Sequence, residues 1–244
     1  NGVKKTAVIT ALAIFIFCLG LIVGSFLNVY ILRSARGESL GGRSRCPHCK
    51  RTLSFIELIP VASFLFQKGR CRSCGAVLSL QYPLVEMGTA VLYTGIFFFA
   101  RDMFVFSFPS LFLFLGLFAG SAAFVAIFVT DLRFTVIPDG ALFLLFLIAF
   151  VALFFQPYHI GKTVGAALIF SLILFSLWFF SKGAWMGFGD VKLIFATSLL
   201  AGYPVSFIAF LFSFWLGGIA GVALLIFGSK SLTSKIPFGP FILL

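Results

Sequence analysis

The chain has 244 residues, of which 61% are hydrophobic and only 10% are charged, with 36 phenylalanines. Soluble globular domains carry about 25% charged residues, so this composition excludes a soluble enzyme or binding domain and indicates a membrane protein. The formal net charge is +11, yet only seven residues are acidic, so each carboxylate in or beside an apolar segment is a functional candidate.

Apolar runs of membrane-spanning length follow one another along the chain. The first, residues 6–32, contains 27 residues without a charge, which is too long for a signal-peptide core and predicts a retained membrane anchor. Because a span needs roughly 20 apolar residues, the later runs predict further spans. These runs are residues 84–100, 103–130, 140–158, 163–181 and 193–229.

The predicted fold class is an all-α polytopic membrane protein with about eight transmembrane helices. The run 193–229 is long enough for two spans, one of them short, with a break at Gly202-Tyr203-Pro204. The apolar residues 241–244 predict the beginning of a last, incomplete span. The predicted organisation is a first span at residues 1–32, a cytoplasmic loop at 33–82 and a multi-span core at 83–244.

The hydrophilic loop at residues 33–82 contains two Cys-x-x-Cys pairs. Each pair can present two thiolates from one tight turn, and two such turns can close a tetrahedral zinc site. A structural zinc ion is therefore predicted, with the ligands Cys46, Cys49, Cys71 and Cys74.

Three other uses of the cysteines are less favoured. Two disulfides would require an oxidising compartment, and redox pairs would require a thioredoxin-like setting. A nucleic-acid-binding zinc ribbon would require aromatic side chains for base stacking, but the loop's phenylalanines fall in apolar stretches, so no nucleic-acid partner is expected.

Basic residues are distributed unevenly between the two sides of the predicted membrane. If the loop at 33–82 is cytoplasmic and the spans alternate, fourteen of the eighteen lysines and arginines lie inside, as the positive-inside rule requires. This predicts a multi-pass protein of the bacterial cytoplasmic membrane, with the zinc loop on the cytoplasmic side. Attraction to anionic lipid headgroups follows from the same charges.

Glu86 lies just inside the second predicted span, where an unpaired charge is costly. Two roles are open for its carboxylate. One is a salt bridge to a basic residue of the loop, and the other is contact with a basic substrate.

Three aspartates follow at the ends of apolar runs. Asp139 is the expected N-cap of a helix. Asp131 ends a helix, where the dipole disfavours an anion and capping cannot explain it. Asp190 precedes a helix whose positive end favours the ionised carboxylate, and Gly187 and Gly189 before it allow a substrate to approach the backbone.

Asp131 and Asp190 are therefore the candidate catalytic pair. Two carboxylates that meet can serve as the base and the acid of an aspartic protease. The helix ends predict that Asp190 is the more readily ionised partner and that Asp131 favours the protonated form.

The order and spacing of these motifs resemble the type IV prepilin peptidases, which are membrane aspartic proteases of the Gly-x-Gly-Asp class. The resemblance is carried by Gly24-Ser-Phe-Leu-Asn28, both cysteine pairs, Tyr82-Pro-Leu-Val-Glu86, Asp131 with Ile137-Pro-Asp139, Gly187-Phe-Gly-Asp190-Val-Lys192, and Lys235-Ile-Pro-Phe-Gly-Pro240.

This resemblance implies removal of the basic leader of prepilins and pseudopilins of type IV pili or type II secretion, at the cytoplasmic membrane face. It also implies N-methylation of the new amino terminus with S-adenosylmethionine. The family's catalytic aspartates correspond to Asp131 and Asp190, while Glu86, Gly187 and Gly189 are candidate substrate contacts.

Two other classes of protein fit the sequence less well than a peptidase does. An ion-coupled transporter would need charges near mid-bilayer and a repeat between its halves, whereas the acids here lie at span ends. A membrane-anchored zinc-ribbon adaptor would need neither Asp131 nor the Gly-Phe-Gly-Asp turn.

Overall fold

The computed structural model describes residues 2–101, 108–154, 159–227 and 237–243. This part of the chain is mostly helical, and its only β-type pairings are two isolated bridges in the hydrophilic loop, which confirms the predicted all-α class. The helices are α1 (Gly2–Ser34), α2 (Ala62–Phe66), α3 (Gln81–Ala100), α4 (Phe108–Phe134), α5 (Asp139–Phe154), α6 (Ile160–Phe180), α7 (Phe188–Ala201), α8 (Val205–Ile226) and α9 (Gly239–Leu243).

Five of these helices, α1, α3, α4, α6 and α8, are long and apolar enough to cross a membrane. Helix α5 has 16 residues and α7 has 14, both fewer than the roughly 20 that a span needs. The predicted eight spans are therefore not confirmed. Residues 155–158 of one predicted span, and the basic residues Lys230 and Lys235, lie outside the described residues.

The break predicted inside the run 193–229 is confirmed. Helix α7 ends at Ala201, and Gly202 follows with a φ of 71°, a conformation that glycine adopts without strain. The Tyr203 N–H donates to the Thr163 hydroxyl of α6 at 3.1 Å. This hydrogen bond attaches the turn between α7 and α8 to α6.

The chain divides into two compact units, Asn1–Ala126 and Ile127–Leu244. In the first unit, α1 and α3 pack closely along two glycines. A Cβ atom on Gly20 would lie 2.5 Å from Ala90 Cα, and one on Gly24 would lie 2.6 Å from Glu86 Cα. The Gly20-x-x-x-Gly24 pattern is therefore a close-packing motif of two membrane helices.

Hydrogen bonds also hold α1 and α3 together at the end of the pair that is nearest the hydrophilic loop. The Asn28 amide donates to the Tyr82 carbonyl at 3.1 Å and accepts a bond from the Gln81 amide at 3.1 Å. Asn28 is buried, so these bonds satisfy a polar group that would otherwise be costly in an apolar setting. They also tie α1, shortly before the hydrophilic loop begins, to the residues at which the loop ends.

We expect Gly20→Ala to destabilise this helix pair by about 1–3 kcal/mol, as overpacking of a close-packed core does. Gly95→Ala on α3 is the matched control, because a Cβ there meets no atom within 4 Å and alanine favours the helix. Thermal unfolding in detergent measures both variants. Equal melting temperatures would contradict the close contact at Gly20.

The second unit is built around α7, which packs against α5, α6, α8 and α9. Ala149, Ala167 and Leu199 form a buried apolar cluster from α5, α6 and α7. On α6 and α8, the rings of Phe170 and Phe210 stack with centroids 4.4 Å apart. The central position of α7 places the first turn of that helix, with Asp190, inside the unit.

Candidate functional site

Asp131 lies in the last turn of α4 and is buried. Its Oδ2 accepts a hydrogen bond from the backbone N–H of Gly239 at 2.9 Å, across 108 residues of sequence. This donor stabilises a carboxylate that the α4 dipole disfavours. A Cβ on residue 239 would lie 2.7 Å from the same oxygen, so glycine permits the close approach.

Asp190 is the third residue of α7 and is also buried. Its Oδ2 accepts from the N–H of Gly187 at 3.1 Å, and its own N–H donates to the Gly187 carbonyl at 3.2 Å. An acidic residue at this helix position that reaches back to the N-cap forms half of a capping box. The sequence predicted a helix that begins after Asp190; it begins at Phe188, because Gly187 is the N-cap.

Gly189 brings two motifs together. A Cβ on this residue would lie 3.1 Å from Ile137 Cβ, so the missing side chain lets the segment before α5 pack against the first turn of α7. The backbone of Gly187 holds the Asp190 carboxylate. The substrate contacts predicted for both glycines stay a prediction.

The two aspartates interact electrostatically. Asp190 lies outside the five candidate spans, and burial, reinforced by the negative charge of Asp131, raises its pKa to about 7, although the Gly187 N–H acts in the opposite direction. Desolvation and the like charge therefore outweigh the effect of the helix start on Asp190, and which of the two carboxylates is the more readily ionised stays a prediction. Two buried carboxylates that interact in this way can share one proton.

Asp139 is set apart from this pair. It begins α5, its side chain is 83% exposed, and its Oδ1 accepts from the Lys192 ammonium at 2.9 Å. The position fits the predicted role at a helix start. The ion pair joins the Ile-Pro-Asp segment to the turn that carries Asp190.

The four predicted zinc ligands meet in the first unit. The sulfur atoms of Cys46, Cys49, Cys71 and Cys74 all lie within 4.8 Å of one another, and the Sγ atoms of Cys46 and Cys74 are 4.0 Å apart. A tetrahedral site with Zn–S bonds of about 2.3 Å has sulfurs about 3.8 Å apart. The cluster therefore fits a metal ion with four thiolate ligands.

The two cysteine turns repeat one backbone pattern that sequence reasoning missed. The N–H of Cys46 donates to the Arg51 carbonyl and that of Cys71 to the Ala76 carbonyl, each at 2.9 Å. The isolated bridges Arg45–Thr52 and Arg70–Val77 close the two turns in the same way. The sequence contained one signal of this repeated pattern: in both pairs, two residues separate the two cysteines.

Glu86 is buried, and its Oε2 accepts from the backbone N–H of Val61 at 2.7 Å. Val61 precedes α2 and has a φ of 59°, which is unusual for a β-branched residue. Glu86 takes part in no ion pair within the described residues, so the predicted salt bridge to the loop is wrong. Its carboxylate instead anchors the loop backbone, and the predicted substrate contact stays a prediction.

Two protein families match consecutive parts of the chain. Residues 18–100 match the Bacterial Peptidase A24 N-terminal domain, which spans the cysteine loop. Residues 117–222 match the Type IV leader peptidase family, which spans Asp131 and Asp190.

Curated relatives extend the match over most of the chain. The chain is 36% identical over 233 residues to the Prepilin leader peptidase/N-methyltransferase of Bacillus subtilis (strain 168), covering 93% of this chain and 89% of that protein. The protein of the same name from Dichelobacter nodosus is 31% identical over 261 residues, covering 93% and 87%. The Type 4 prepilin-like proteins leader peptide-processing enzyme of Escherichia coli O78:H11 (strain H10407 / ETEC) is 43% identical over 93 residues, 30% of this chain and 35% of that protein. No solved structure gives a significant match.

Proposed function

The chain belongs to the type IV leader peptidase family, and from that membership we propose that it is a membrane aspartic endopeptidase of type IV prepilins and pseudopilins. It removes the basic leader peptide and N-methylates the amino terminus that cleavage exposes. The observation that carries this proposal is the pair of buried, electrostatically coupled carboxylates, Asp131 and Asp190, each held by a glycine N–H.

The pair acts by general acid–base catalysis. The ionised carboxylate takes a proton from water as the water oxygen attacks the scissile carbonyl carbon. The protonated carboxyl gives its proton to the carbonyl oxygen, and collapse of the tetrahedral intermediate breaks the C–N bond as the leaving amine is protonated. The N–H groups of Gly239 and Gly187 fix both carboxylates before substrate arrives, which lowers the reorganisation that the reaction requires.

The methyl donor that the proposal requires is S-adenosylmethionine, which transfers a methyl group to the free amine.

The proposed metal is zinc, held by Cys46, Cys49, Cys71 and Cys74, because four thiolates at tetrahedral spacing suit Zn²⁺. Its role is structural: it ties together the two turns of a loop with little apolar core of its own. In this organisation residues 1–32 are the first span, 33–82 the zinc loop and 83–244 the peptidase core.

The proposed location is the bacterial cytoplasmic membrane, with the zinc loop and both catalytic aspartates facing the cytoplasm. The uneven distribution of lysine and arginine supports this orientation. The partners are prepilin and pseudopilin precursors and membrane lipids, and no nucleic acid. At the membrane boundary, the precursor's apolar segment stays in lipid while its scissile bond reaches water.

The test is cleavage of a purified precursor by the purified protein in detergent or liposomes, followed by mass spectrometry. The expected products are the free leader and a shortened pilin, which gains one methyl group when S-adenosylmethionine is added. An intact precursor after incubation with folded protein would overturn the peptidase assignment. A transporter or a zinc-ribbon adaptor would give that result.

The pH dependence of cleavage tests the shared proton. We expect kcat to fall as the pH rises through about 7, since Asp190, whose pKa burial and Asp131 raise to about 7, then loses the proton that the reaction needs. An ordinary aspartate would lose it near pH 4.

Stability should follow the same titration. A carboxyl whose pKa is raised in the folded state makes the protein less stable as the pH rises from its unfolded pKa toward the folded one. Asp190→Asn should therefore gain melting temperature over the wild type as the pH is raised from 5 to 8. Wild-type kcat that stays constant from pH 5 to 9 would contradict the shared proton.

A further inference from the structure

An apolar pocket lies in the second unit. Its volume is about 260 Å³, and its lining residues are uncharged: Leu177, Trp185, Met186, Phe214, Gly217, Phe238 and Phe241. This volume is smaller than the about 300–1,000 Å³ of pockets that enclose drug-sized ligands. The pocket is therefore suited to an amino-acid side chain rather than to a cofactor.

The chain itself joins the pocket to both aspartates. Met186 directly precedes Gly187, whose N–H holds Asp190, and Phe238 directly precedes Gly239, whose N–H holds Asp131. If a peptide bond lies between the two carboxylates, a side chain next to that bond can therefore reach this pocket.

The lining favours an apolar, preferably aromatic, occupant. The Phe214 and Phe238 rings meet edge to face with centroids 5.3 Å apart, and the Phe238 and Phe241 centroids are 6.4 Å apart. Such rings offer faces and edges to a further apolar group. A lysine or arginine of the leader would lose its hydration here without gaining a charged partner.

Gly217 sets the depth of the pocket. A Cβ on this residue would lie 3.0 Å from Phe238 Cε2, so a larger side chain would fill the space that the three rings surround. Gly218, its neighbour on α8, has open space where a Cβ would be. The two glycines differ by one position and therefore form a matched pair.

We propose that this pocket binds an apolar side chain of the precursor on the C-terminal side of the scissile bond, at the beginning of its hydrophobic segment. The inference rests on the proposed function and adds the substrate subsite. Cleavage separates a basic leader from an apolar segment, and the chemistry of the pocket accepts only the second. The pocket residues thereby set the position of the cut.

The experiment compares kcat and KM of the wild type, Gly217→Leu and Gly218→Leu with one precursor. We expect Gly217→Leu to raise KM about tenfold or more while kcat changes less, because the lost contact contributes mainly to substrate binding. Gly218→Leu should match the wild type. Melting temperatures show that both variants are folded.

A second arm identifies the occupant. Alanine is placed in turn at the first apolar residues of the precursor. One of these changes should raise the KM of the wild-type enzyme but should not raise the KM of the Gly217→Leu enzyme any further. This result is expected because residues that interact give non-additive effects. If Gly217→Leu does not fold, Leu177→Ala enlarges the pocket instead and should improve KM for a precursor with a bulkier residue at that position.

The outcomes distinguish a failure of the proposed peptidase function from a failure of the proposed substrate subsite. If the wild type leaves the precursor intact, the proposed function fails. If the wild type cleaves but Gly217→Leu and Gly218→Leu behave alike, the pocket does not bind substrate. An effect of Gly217→Leu that varies with the lipid of the liposome but not with the precursor residue would show a lipid site and overturn the inference.

Discussion

Asp131→Asn and Asp190→Asn should each abolish precursor cleavage, lowering kcat by at least about 10³-fold, as expected when a group that moves protons is lost. Each asparagine keeps an oxygen that can accept the bond from Gly239 or Gly187, so the geometry is retained while the shared proton is removed. Leader release, followed by mass spectrometry, measures the loss. Melting temperatures should stay close to, or above, that of the wild type.

Asp139→Ala is the control for this pair. Its carboxylate is 83% exposed and bonded to Lys192, and an exposed ion pair contributes about 0–1 kcal/mol. With the helix-start role included, the variant should lose about 1 kcal/mol of stability and keep its cleavage activity. An inactive Asp139 variant beside an active Asp131 variant would show that the catalytic pair has been misassigned.

Sequence alone identified the parts of this site whose signal is local. The cysteine ligands were predictable because each Cys-x-x-Cys pair is one turn with its own spacing, and all four sulfurs converge as predicted. Asp131 and Asp190 were noticeable because a carboxylate beside an apolar run is costly. The lengths of the apolar runs likewise predicted the long helices, because each such run lies within a single stretch of sequence about as long as one span.

The pairings between distant segments were not predictable in this way. Gly239 lies 108 residues from Asp131, and Lys192 lies 53 residues from Asp139, so no periodicity within either segment indicates the contact. The same applies to Glu86, for which a salt bridge was expected and a backbone N–H was found. The raised pKa of Asp190 was not predictable from its helix start either, because burial depends on how the whole unit packs.

The cysteine loop should depend on its metal for its fold. Removing a ligand from a four-thiolate site leaves three, and zinc binding by small domains contributes about 10–16 kcal/mol that is inseparable from folding. We therefore expect Cys46→Ser or Cys71→Ser, both at buried ligands, to release the zinc and unfold residues 33–82. Metal analysis should find one zinc per wild-type chain and far less in the variants, and limited proteolysis should cut their loop.

Cys18→Ser supplies the matched control, since this free cysteine is exposed on α1 and outside the cluster. The zinc content and proteolysis pattern of this variant should equal those of the wild type.

The chemistry proposed at Asp131 and Asp190 uses no cysteine, so loss of zinc should not reproduce the proton-transfer defect of the asparagine variants. The discriminating measurement is the pH profile of residual cleavage: a cysteine variant should keep the alkaline fall near pH 7 that reports the carboxylate pair. Native protein that contains no zinc and has all four loop thiols open to alkylation would contradict the metal assignment and leave the two turns to be explained by their hydrogen bonds alone.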